Sequence, residues 1–424
     1  MTTRLLPTLY FALAHVALSC AFAAVACSPD SFGGFFYHPR MLAVVHLVTL
    51  GWITASILGS LYIVAPLALR TSLKVTWIDY TAFALVTIGV VGMVAHFWIV
   101  EYRGMAWSAA TAATGVLMVG VRTVPVLARA PIPRAIRLHI ILAFANIAIA
   151  STMGVLLGVN KMTPVLPGRA MDHVFAHAHL AAIGWASMMV VGIGYRLLPM
   201  VLPSAMPSGP TLYATAALLE GGLLALFTAF TLHRTLLWPG AALLVAGFGS
   251  FIGHVLWMLR HPRPRPPAIR RPDPAVLHAG AAFLSLMAAC AVGVWLSRAA
   301  TSAATLRLTT VYGVLGLVGF LAQMVVAMEG RLLPLFAWYW AFQHAGGRGS
   351  VLSPHQMPWH PAQLLVAALF ILGVPALACG FGLDAPILLR IGALMLLGAA
   401  LLNATQVAVI VRHAWLRPRL PAGT

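Results

Sequence analysis

Acidic side chains are scarce in this sequence. Eight Asp and Glu stand against twenty-six Lys and Arg, and charged residues of all kinds fill only 8% of 424 positions. A soluble domain carries about 25%, so an ordinary water-exposed surface is excluded. Cysteine is scarce too: Cys20, Cys27, Cys290 and Cys379 are scattered, without a CxxC or zinc-type spacing. That argues against a disulfide framework or a thiolate metal site, and the four read as helix-packing residues. What fills the chain instead is apolar, 61% of it, in long runs that recur from end to end. Runs of about twenty residues match the hydrocarbon thickness of a bilayer. The fold class is therefore an all-α polytopic membrane protein. The formal charge of +18 comes almost wholly from arginine in short loops between apolar runs, which marks a cytoplasmic face and gives no ground for nucleic-acid binding.

Twelve spans are expected, each bounded by Pro, Gly or charge. They begin near Leu5, Met41, Trp77, Trp107, Leu138, His173, Thr211, Trp238, Pro274, Leu308, Pro361 and Pro386. The first, from Leu5 to Cys27, follows a single arginine and exceeds a signal-peptide core, so it reads as a span. Arg70 and Lys74; Arg129, Arg134 and Arg137; the run from Arg260 to Pro274; and Arg412, Arg417 and Arg419 fall after even-numbered spans or at the tail. This alternation predicts a bacterial-type inner-membrane protein with both termini cytoplasmic, although Lys161, Arg169, Arg298 and Arg307 fall on the outer side. The aromatic-rich segment from Leu335 to Pro361 is too interrupted to span and is expected at the inner interface.

Spans four apart align without gaps. In "HLVTLGWITASILGSLYIVAP", "HLAAIGWASMMVVGIGYRLLP" and "VLGLVGFLAQMVVAMEGRLLP", a Gly followed by Trp or Phe (Gly51, Gly184, Gly319) precedes a Pro (Pro66, Pro199, Pro334) by fifteen residues. The preceding helices put Tyr10, His139 and His278 in register. One integral membrane domain, 1–424, is thus expected as three pseudo-symmetric four-helix repeats, roughly 1–130, 131–268 and 269–424. Gly beside an aromatic permits close helix approach and Pro ends a span, so packing accounts for both. It does not account for the histidines.

Twelve helices in three four-helix units resemble the haem–copper oxidase subunit I superfamily, over the whole chain by architecture rather than identity. In that family the second, sixth and tenth helices carry histidines that bind haem and copper near the outer face. Here the second span offers His46 and the sixth offers His173, His177 and His179. The "HAH" followed by Gly and an aromatic is similar to NnrS-type haem- and copper-containing membrane proteins associated with nitric oxide stress. The resemblance implies b-type haem, with His46 and His179 as first-choice axial ligands because they share one repeat position. His177 would turn to a second haem, a metal or a propionate. His173 and His177, one turn apart on one face, could hold copper with one further ligand. The chain departs from the family at the tenth span, which has no histidine, at the seventh, which lacks an adjacent pair, and at the sixth, which lacks a tyrosine four residues after a ligand histidine. A complete oxygen-reducing centre is therefore not expected in this chain alone. The implied role is an oxidoreductase component in electron transfer or nitric oxide handling. With no CxxCH motif, electrons would come from a separate protein such as a cytochrome c.

Two other classes remain open on the residues themselves: a transporter for a small solute or metal, because polar groups within spans also line permeation paths, and a non-catalytic structural subunit of a respiratory complex. An intramembrane imidazole needs a partner, and a backbone carbonyl serves as well as a metal. His139, His254 and His278 read as interfacial or as part of a second site. Glu220 has no obvious partner, and Glu329 is expected to pair with Arg331. His96 and Glu101 read as a helix-end polar pair.

Overall fold

The computed structural model describes residues 3–344 and 352–415. Arg417 and Arg419 of the basic tail, and part of the 335–361 segment, lie outside the described residues. Among the described residues twelve helices are long and apolar enough to cross a membrane, so the chain is a multi-pass membrane protein. They are Leu5–Cys27, Pro39–Leu67, Trp77–Trp98, Tyr102–Ala128, Arg134–Asn160, Ala170–Val201, Thr211–Thr231, Arg234–Arg260, Pro274–Leu296, Ala303–Gln343, His360–Gly382 and Pro386–Ala414, in chain order the first to twelfth spans. Among the described residues there is no strand beyond an isolated bridge.

Local chemistry sets the starts. Proline opens the second, ninth and twelfth spans, where its missing N–H costs nothing. Asp79 and Thr76 form a capping box on the third. The fourth starts at Tyr102 rather than near Trp107, because the Glu101 carboxylate accepts from Arg103 N at 3.0 Å and Gly104 N at 2.5 Å. Apolar side chains left uncovered, such as Val121 at 77% and Ile387 at 76% exposure, face outward where lipid covers them. Exposed Trp77, Trp98, Trp238 and Trp359 stand at or beside span ends, as the interfacial preference of indole requires.

Sequence neighbours pack side by side around the bundle, and the first span packs on the twelfth to close the ring. The second, sixth and tenth spans touch one another near their middles, where each widens into π-helical turns, Leu47–Thr54, Leu180–Ser187 and Val314–Ala322. Each of these segments contains the Gly and the aromatic that follows it. Gly51 lies against Ala17, Gly184 against Asn146 and Gly319 against Ser285, each partner seven residues beyond the aligned Tyr10, His139 and His278. A Cβ on Gly184 would sit 2.7 Å from that of Asn146, and one on Gly319 2.7 Å from that of Ser285. Only glycine permits this approach. Trp185 Nε1 in one π segment donates to Thr54 Oγ1 in another at 3.1 Å, tying the sixth span to the second.

One span end differs from expectation as well. Pro66 and Pro199 sit within two residues of their helix ends, but the helix containing Pro334 continues to His344. A proline removes one backbone hydrogen bond. Here Phe336 and Ala337 are buried just beyond it, on a helix that packs against the end of the twelfth span. The stretch after Leu335 therefore begins as a continuation of the tenth helix.

Candidate functional site

His46 stands one residue before the π segment of the second span. Its Nδ1 lies 2.7 Å from Leu42 O and its ring 5.3 Å from that of Phe97 in the third span. His179 stands at the same point of the sixth span and repeats the pattern. Its Nδ1 lies 2.7 Å from Phe175 O and its ring 5.3 Å from that of Phe230 in the seventh. Equivalent residues thus make equivalent contacts, and for that reason they face different neighbours. His179 Nε2 meets the Tyr312 hydroxyl of the tenth span at 3.3 Å.

The imidazole that joins His46 is His177. Both line one cavity of about 140 Å³ walled by the second to sixth spans and two leucines of the tenth, and His179 is not among its lining residues. His177 Nδ1 lies 2.9 Å from Ala150 O. A carbonyl only accepts, so Nδ1 carries the proton in both rings, and a neutral ring is left with a bare Nε2. This is the tautomer in which a histidine ligates a metal while a backbone carbonyl orients it. The bond alone is not diagnostic, since His15, His96 and His139 make it too. The shared cavity singles out His46 and His177.

Small side chains open that cavity. A Cβ on Gly154 would sit 3.0 Å from His177 Cε1, so the ring occupies a slot that any larger residue would fill. Ala109, Ala113, Ala181 and Gly158 continue the low wall, and Met93, Met105, Phe97 and Leu317 supply the apolar bulk. Besides the two histidines, only Tyr37 and Lys161 among the lining residues can ionise. The Lys161 ammonium lies 4.3 Å from the Tyr37 ring centre and 5.0 Å from that of Tyr102; burial lowers its pKa from the ordinary value. Lys161 and Gly154 went unnoticed as site residues in the sequence, though Lys161 is one of only two lysines and directly follows a span.

His173 does not join this cavity. Its Nε2 lies 2.7 Å from Pro167 O at the start of the sixth span, so the expected pairing with His177 for copper has no shared space. Among the described residues no group of three or more His, Cys, Asp or Glu side chains could hold a metal ion. The donor set therefore does not fit copper at His173 and His177. What the structure brings together at His46 and His177 is two imidazoles oriented by backbone carbonyls, a wall of small residues, and Lys161 in the same lining.

Other expectations change in detail. Glu220 has a partner, Asn146 Nδ2 at 2.9 Å, which also reaches Gly184 O in the π segment at 3.3 Å. Glu329 meets Asn403 Nδ2 at 3.2 Å and His15 Nε2 at 3.6 Å, while Arg331 pairs with Asp273. His139 and His278 are buried between helices within two turns of their span starts, and His254 bridges Tyr195 and Thr211 at 2.9 Å each. His96 and Glu101 do meet at a helix end, 3.8 Å apart. Comparison with protein-family models finds no match, and comparison with curated proteins finds none either.

Proposed function

We propose that the chain is a membrane-embedded b-type haem-binding protein built on the haem–copper oxidase-like plan, with His46 and His177 as the axial pair. The observation that carries this reading is their position on one small-residue cavity, each ring oriented by a backbone carbonyl. The proposed pseudo-threefold repeats draw support from the three π segments and from the common seven-residue register of their close contacts. If the repeats are related by rotation, His46 and His179 look into equivalent but separate spaces. The pair shared across one space is then His46 with His177, which revises the pairing expected from sequence.

The cavity is smaller than the roughly 300–1,000 Å³ of ordinary ligand sites. A porphyrin is accommodated only if side chains such as Met93, Met105 and Leu317 swing aside, and unbranched methionines do this readily. Bound haem would supply one-electron redox chemistry. His46 and His177 would hold its iron, the apolar walls would exclude water, and Lys161 would pair with an acidic group. Because two imidazoles of this chain would hold the group, we favour electron transfer over nitric oxide handling. Electrons would come from a separate donor such as a cytochrome c, in a bacterial-type inner membrane with both termini cytoplasmic.

The test is the visible spectrum of the dithionite-reduced, detergent-purified protein from haem-sufficient cells. Sharp b-type bands are expected in the wild type, most haem is lost from His46→Ala and His177→Ala, and His179→Ala keeps it. No Soret absorption in the wild type overturns the reading. Loss in His179→Ala with retention in His177→Ala overturns the axial pair instead.

A further inference from the structure

At the arginine-rich end of the bundle, the loop after the eighth span folds onto the loop after the sixth: Ala205 N donates to His261 O at 2.9 Å and Arg263 N to Pro203 O at 2.8 Å. Beneath this clasp, reaching the start of the ninth span and the turn around Pro334, lies a cavity of about 450 Å³, within the roughly 300–1,000 Å³ typical of small-molecule sites. It shares no lining residue with the His46 and His177 cavity.

Its lining is cationic. Arg263, Arg270 and Arg331 face a single carboxylate, Asp273. That carboxylate is already engaged, by Arg331 and by Ala275 N at 3.1 Å, where it caps the ninth span. Arg263 and Arg270 lie exposed at the rim. Two donors inside have no partner: the Ser204 hydroxyl, on a residue only 3% exposed, and Arg331 Nε. Buried donors without acceptors are rare in folded proteins, and both of these line the same space. His355 lines it too. Burial, with Arg331 beside it, holds this imidazole below its usual range, so the ring adds a hydrogen-bonding edge at neutral pH rather than charge.

We infer that this cavity binds a phosphate group, with Arg263, Arg270 and Arg331 around its oxygens and Ser204 donating to one of them. Guanidinium forks match phosphate oxygens in pairs, and the two unpartnered donors gain the acceptor they lack. A phosphate can arrive on a lipid headgroup, which basic pockets at span ends retain, or on a soluble phosphorylated molecule. The inference is independent of the haem reading.

The experiment uses the full chain in mild detergent. Native mass spectrometry would look for a retained phospholipid, and radiolabelled orthophosphate would probe the delipidated protein. Arg263→Ala/Arg270→Ala and Ser204→Ala leave the spans untouched, and an unchanged melting temperature verifies folding. Retained lipid that falls by about tenfold or more in the double variant, the scale of one lost charge-assisted hydrogen bond, supports the site with a lipid source. Saturable orthophosphate binding without retained lipid, weakened likewise, supports it with a soluble source. Neither signal in the wild type, or either one undiminished in the double variant, overturns the inference.

Discussion

Gly154 borders the candidate site and Asn146 ties the fifth span to the sixth and seventh, though neither carries the site's chemistry. A Cβ at residue 154 would press on His177 Cε1 at 3.0 Å, while replacing a mid-helix glycine by alanine gains about 1 kcal/mol of helix propensity. Gly154→Ala should therefore insert and melt at least as well as the wild type, yet bind less haem per protein, read from the reduced spectrum. Equal haem content would mean that the slot does not position His177. Asn146 bridges Glu220 and the Gly184 carbonyl. Interhelical hydrogen bonds in membranes average about 0.6 kcal/mol, and Glu220 is half-buried, so Asn146→Leu should lower stability by about that much or somewhat more in a detergent thermal-shift assay. An unchanged melting temperature would remove the bridge as a structural element. At this scale the sequence exposes the histidines, because imidazoles are conspicuous in an apolar run, but not their pairing. Helical projection tells which face of its own helix a side chain leaves. Which ring meets which depends on the slot opposite, and the slot for His177 is made by a glycine on another span.

The twelve spans and most of their starts are legible because bilayer thickness fixes the length of an apolar run and proline or charge marks its ends. The π segments are not, since their sequences LVTLGWIT, LAAIGWAS and VLGLVGFLA read as ordinary apolar helix. What could have announced them is the Gly and aromatic repeated at one position in three spans, a repeat that packing alone already accounts for. Wide turns of this kind tend to occur at functional sites, and here each histidine-bearing half-helix lies just before one. Deleting Ala182 from the sixth span's segment should tighten it and turn the half carrying His177 by about 100° against the rest. Such a variant should still insert, yet lose its haem bands; intact bands would show that the π turns do not aim the histidine. A second element depends on a buried charge. Asp79, on the third span, accepts from Tyr62 at 3.0 Å and pairs with Arg122 at 3.1 Å, tying the second, third and fourth spans together. Asp79 is buried and Arg122 half-buried, so Asp79→Ala, which leaves that guanidinium and the Tyr62 hydroxyl without their acceptor, should depress the melting temperature more than Asp172→Ala, whose partners Arg169 and Arg234 are exposed.

Over the whole molecule, the three inner spans that meet near their middles carry the histidines unevenly. The second and sixth spans carry them and the tenth, Ala303–Gln343, carries none. In the family this architecture resembles, oxygen reduction needs a high-spin haem facing a copper held by three histidines, with ligands on the tenth and seventh helices. Here the tenth span instead presents Tyr312 to His179, and the seventh, Thr211–Thr231, is without histidine. His173, the remaining imidazole near the site, is turned to the Pro167 carbonyl. Carboxylates within spans are also bound up locally, Glu220 by Asn146 and Glu329 by Asn403 and His15, so among the described residues no run of acids leads toward the His46 and His177 cavity. On the haem reading proposed above, a chain arranged this way would hold and pass one electron at a time and would not gather the four that dioxygen requires at one centre. The purified protein, given an artificial electron donor, should therefore show no cyanide-sensitive oxygen uptake above the donor's own autoxidation. It should nonetheless be reduced by that donor, as followed at its haem bands. A robust cyanide-sensitive rate from this single chain would mean that ligands outside the second and sixth spans complete a reaction centre.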